Sequence, residues 1–77
     1  MKIDLSTFAL SISSAAFMNL DQKVDLQLAR HNIDLLELLW EKTKGNRTVE
    51  EDRLFDQLLF ETRMKFVEVQ KKSSIVL

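Results

Sequence analysis

Seventy-seven residues carry 11 basic and 12 acidic side chains, a formal net charge of −1, one glycine, no proline and no cysteine. That length predicts one helical domain over residues 1–77, near the lower limit for independent folding, since so short a chain buries only about 60% of its unfolded surface. Without cysteine there is no disulfide, thiolate nucleophile or sulfur metal site, which suits a reducing cytoplasm, and the balanced charge argues against a dedicated polyanion binder.

From Leu5 to Leu20 no residue is charged. The stretch is too short and too rich in serine and threonine for a membrane span, which needs about 20 mostly apolar residues. Asp4 offsets the charge of Lys2 that a cleaved leader would use, so a folded first helix is expected over about 6–18, with Asp4 or Ser6 as N-cap and residues 1–5 irregular. Phe8, Ile12 and Ala15 share one face; Leu10 and Phe17 lie on another. The serines and alanines between them allow close approach by neighbouring backbones, so packing on more than one side is expected.

Asn19 to Lys23 read as a polar connector, and Asp25 as the N-cap of a second helix over about 26–44. Its residues fall into two apolar arcs. Leu26, Ala29, Ile33, Leu36 and Trp40 form one, placing the tryptophan in the core; Leu28, Leu35, Leu38 and Leu39 form the other. Lys42 and Lys44 suit the negative end of the helix dipole, and Gly45 supplies the left-handed residue that closes the last turn. Thr48 and Glu51 then match the capping box of a third helix over about 49–71. A turn this short forces the two long helices into an antiparallel hairpin.

The third helix shows a broad apolar face of Leu54, Phe55, Leu58, Leu59, Thr62, Phe66 and Val69. Phe60, Met64 and Val67 make a narrower stripe opposite it. Residues 73–77 carry no helical signal and are expected to be an irregular tail. Their apolar end, Ile75-Val76-Leu77, suits a core edge or a disordered tail better than a recognition peptide.

The fold class that follows is all-α: an antiparallel helical hairpin with a shorter N-terminal helix packed on it. One copy cannot cover both arcs of each long helix with a 13-residue first helix, so an oligomeric bundle is expected, a homodimer being the simplest. The residues assigned to that interface are Leu28, Leu35, Leu39, Phe60, Met64 and Val67.

Chemistry finds little support. His31 stands one turn before Asp34, but no second histidine or cysteine exists to complete a metal site. Asp34, Glu37 and Glu41 lack the Glu-x-x-His pairs of helical di-metal centres, and Arg30 four residues before Asp34 suggests a solvated, ion-paired face. No serine sits in a glycine-flanked strained turn. No catalytic residue, metal or cofactor is assigned, and the chain is read as a non-enzymatic self-association or adaptor module that binds itself and could bind a second protein. The alternative is an accessory protein touching RNA or another polyanion through Lys42, Lys44 and Arg47; it is the weaker reading, because capping explains the lysines and acidic residues follow at once.

The run LARHNIDLLELLWEKTKGNRTVEEDRLFDQLLFETRMKFVE, Leu28 to Glu68, resembles a small bacterial family known as domain of unknown function 1844. The similarity extends to the N-terminal FALSISSAAFMNL and is most specific at EKTKGN. Two departures stand out: Arg47 occupies a position that is usually apolar in the family, and the connector after Met18 is shorter and lacks Gly and Pro. The resemblance implies a bacterial, cytoplasmic, all-helical protein and carries no activity.

Overall fold

The computed structural model describes residues 4–21 and 23–75, which form three helices: α1 (Leu5–Asp21), α2 (Leu26–Lys42) and α3 (Val49–Ile75). Residues 1–3, with Lys2, lie outside the described residues, as do Gln22 of the connector and Val76 and Leu77 of the tail.

Each helix starts on a local signal. The Asp4 carboxylate, rather than Ser6, caps α1 by accepting from the Thr7 amide at 2.8 Å. Asp25 accepts from the Leu28 amide at 3.0 Å. Thr48 and Glu51 form the reciprocal box: the Thr48 amide donates to Glu51 Oε1 at 2.8 Å, and the Glu51 amide to Thr48 Oγ1 at 3.1 Å. Gly45 takes φ +85°, the left-handed region that lets the chain leave α2.

Three boundaries differ from expectation. α1 runs to Asp21, consuming part of the connector, and α2 ends at Lys42 rather than Lys44. α3 continues through Ile75, so residues 73–75 are helical and not part of an irregular tail. The physical reason is propagation: with no proline or glycine after Gly45, two serines of modest helix propensity are too weak to stop an established helix.

The helices run up, down and up. One core cluster joins Ala9 of α1, Leu36 of α2 and Phe55, Leu58 and Leu59 of α3. The other joins Leu20, Ala29 and Val69. Early α1 therefore meets late α2 and early α3, and the order reverses at the opposite end. Side-chain bonds pin that second end, with Asn32 Nδ2 donating to Asn19 Oδ1 at 2.8 Å and Lys65 Nζ 3.1 Å from Asp21.

The buried face of α1 is not either of the faces singled out above. It is the small stripe Ala9, Ser13, Ala16 and Leu20, while Phe8 and Leu10 are half exposed. Two alanines and a serine bring the α1 backbone close to both long helices, which a stripe of phenylalanines could not do. Packing on both α2 and α3 is as expected. The buried hydroxyls serve their own helices: Thr62 donates to the Leu58 carbonyl at 2.7 Å and Ser13 to that of Leu10 at 3.0 Å.

Trp40 is the second correction in the core. It is 38% exposed, because its ring lies near the end of α2 where the packing partners run out. The rest of that arc holds, with Ala29, Ile33 and Leu36 buried and Leu26 half-buried.

Candidate self-association surface

The α3 stripe opposite the core stays uncovered. Phe60 is 64% exposed, Met64 58% and Val67 45%. At 100° per residue these three fall within one narrow sector, about half a turn away from Phe55, Thr62 and Val69. Together with the half-open ring of Trp40 they line a groove of about 670 Å³ along α2 and α3, with Asp56 toward one end and Lys71 toward the other. Arg63, on the same wall, is bridged to Glu37 of α2 through Nη2 at 2.7 Å and Nε at 3.1 Å, which ties the two helices without filling the groove.

The six residues assigned to the interface divide between two places. Phe60, Met64 and Val67 line this groove. Leu35 and Leu39 belong to a separate face shared by α1 and α2, beside Phe8, Ile12 and Leu38. Leu28 is exposed further along, beside Met18 and Val24. Leu39 is a correction: it is half-buried against the first core cluster and has little surface to offer a partner. Its position between the arcs, one residue from Trp40 and three from Leu36, turns it inward toward α1.

Sequence reasoning missed Trp40 and Phe8 as surface residues. Trp40 had a usable signal, since a tryptophan in the last turn of a helix has only a short stretch of neighbour left to cover it. For Phe8 there was none.

The basic turn behaves differently from a polyanion site. Lys42 and Lys44 are exposed, but the Arg47 side chain is only 9% exposed. Arg47 donates from Nε to the Asp52 carboxylate and from Nη1 to the Trp40 carbonyl oxygen, with a longer bond from Nη1 to Thr43 Oγ1 at 3.2 Å. Its guanidinium lies 5.4 Å from the Trp40 ring centroid and 5.8 Å from that of Phe55. Its charge is thus turned into the hairpin, and the three-cation contact is corrected to two lysines. A planar, weakly hydrated cation can lie against aromatic rings while its N–H groups donate to the oxygens around it.

His31 and Asp34 are both exposed, and among the described residues no group of three or more His, Cys, Asp or Glu side chains is placed to hold a metal ion. Among the same residues no helix is long and apolar enough to cross a membrane.

These features define a small up-down-up three-helix protein with an uncovered apolar groove on its longest helix. The chain belongs to the family described as Domain of unknown function (DUF1844), whose profile matches residues 2–68. No curated protein and no solved structure gives a significant match to it.

Proposed function

We propose that this protein is a non-enzymatic self-association module whose partner is a second copy of the same chain. The observation that supports this reading is the contiguous exposure of Phe60, Met64, Val67 and Trp40. Large side chains exposed to that degree amount to roughly 400 Å² of apolar surface, as large as the biggest patch of a typical monomer. A standard interface takes about 800 Å² from each partner, so these four would form its apolar centre and the polar side chains around them its rim. The lack of cysteine is compatible with the cytoplasm, which is the location we propose.

The RNA or polyanion alternative loses support from the inward turn of Arg47, which leaves two lysines already suited to the end of α2.

Light scattering after gel filtration, over a dilution series, tests the proposal. A dimer that dissociates on dilution, with Trp40 emission moving to the red as the groove is uncovered, is the expected result. A folded monomer at all concentrations up to hundreds of micromolar, with invariant emission, would overturn it.

A further inference from the structure

Resting on that reading, we infer that two copies meet through α3 in antiparallel register, with the two-fold axis passing at Met64. The uncovered face of α3 repeats at alternating steps of four and three: Arg53, Gln57, Phe60, Met64, Val67 and Lys71. That is the spacing of a helix–helix seam, with apolar residues at its centre and polar ones at its ends. The seam is nearly symmetric about Met64. Turned end for end and laid on itself, it places Phe60 against Val67 of the second copy and Met64 against Met64. Gln57 and its neighbour Asp56 then meet Lys71 of the other chain.

Charge separates this arrangement from the parallel one. Asp56 and Lys71 line the two ends of the same groove, and both are exposed. Antiparallel pairing brings each carboxylate to an ammonium at both ends of the seam. Parallel pairing would instead set Lys71 against Lys71 and bring Asp56, which lies off the seam, toward Glu61 of the second copy, which is repulsive at each end. On the other flank antiparallel pairing brings Glu61 near Glu68 of the second copy, a repulsion that Lys72, 3.4 Å from Glu68 in its own chain, offsets. The contact parallel pairing would offer Glu68, to Arg63, competes with the existing bridge from Arg63 to Glu37. The seam is also self-complementary, as an isologous two-fold contact requires. Area agrees: α3 is about 40 Å long at 1.5 Å per residue, and its packed core lies on the opposite side, so a second α3 can run along it without displacing α1 or α2.

Because the chain contains no cysteine, single cysteines can read the geometry directly. A disulfide forms only where Cβ atoms come within about 4.5 Å. Under mild oxidation Met64→Cys should give a covalent dimer in high yield. Asp56→Cys and Lys71→Cys, each at an exposed position, should not cross-link with themselves but should do so when mixed. Charge reversal provides an independent reading: Asp56→Lys should raise the dissociation constant several-fold, and adding Lys71→Asp should restore it. A dimer in which Lys71→Cys links to itself, and does not link to Asp56→Cys when the two are mixed, would overturn the antiparallel register while leaving self-association intact. A dimer in which none of the three positions links would move the interface off α3, with the same consequence. A folded chain that remains monomeric throughout would overturn both the register and the function on which it rests.

Discussion

The Arg47 guanidinium lies 5.4 Å from the centroid of the Trp40 ring and also donates to the Trp40 carbonyl oxygen, so one side chain both finishes α2 and covers its largest residue. Thr43 adds to the same cap by donating to the Leu39 carbonyl at 2.8 Å. The joint between the long helices is therefore held by contacts reaching seven residues back and five forward.

Arg47→Ala should destabilise the fold by about 2 kcal/mol, from a charge-assisted bond to a carbonyl and two ring contacts. Arg47→Leu, which keeps the apolar stem, should cost about half as much. Urea unfolding followed by helical circular dichroism reads both. Equal losses would place the whole contribution in the charge.

Gly45→Ala isolates backbone conformation from packing. A Cβ at this position would meet nothing within 4 Å, yet φ is +85°. The expected loss is about 1 kcal/mol, with Gly45→Asn milder because asparagine tolerates the left-handed region. Chemical denaturation of the two variants should rank them in that order.

Ala9→Leu should be among the most damaging single changes in α1. Ala9 is fully buried against Leu36 and Phe55, where added volume forces the helices apart at a cost of about 1–3 kcal/mol. Phe8→Ala, on a half-exposed neighbour, should cost less than about 1 kcal/mol. Thermal melts that reverse this ranking would mean that α1 is rotated by roughly one residue.

Two ionisable groups set opposite ends of the pH profile. The Thr7 amide, donating to the Asp4 carboxylate, holds that carboxyl below its ordinary value of 3.8. Its contribution is present above that value and is lost as pH falls through the lowered one, so Asp4→Asn should flatten the acid limb of stability. The hydrogen bond to Asp21, with the Asp21 charge itself, raises Lys65 above 10.5. That contribution is complete below 10.5 and is lost as pH rises through the raised value. Asp21→Asn should therefore lose less stability than the unaltered chain as pH rises above about 10.5.

What could be read from the chain was what is local. Asp25, Thr48 and Glu51 act within three or four residues and adopt their expected geometry, and Gly45 takes its expected left-handed φ, although Thr43 rather than Gly45 caps the end of α2. The core face of α3 was equally legible, since Phe55, Leu58, Leu59, Thr62 and Val69 stand out against polar neighbours. α1 was not. Its apolar and small residues are spread almost evenly around the axis, so periodicity carries no phase, and only the close crossing of backbones decides that Ala9 rather than Phe8 turns inward. Arg47 was missed for another reason: in a turn an arginine resembles a solvated charge until the rings it rests on are known. The candidate surface was half legible, because spacing shows that Phe60, Met64 and Val67 share a stripe but cannot show that Leu39 faces a different neighbour.

Among the described residues the buried hydroxyls are Thr62 and Ser13, and each bonds within its own helix. Among those residues, therefore, no polar atom at the centre of the bundle locks one rod to another. Vertical alignment rests on matched side-chain volumes, with the Asn32–Asn19 clamp and the Arg63–Glu37 and Lys65–Asp21 bridges as outlying fasteners. A substitution that alters those volumes should let the rods slip past one another before it lets any single rod uncoil.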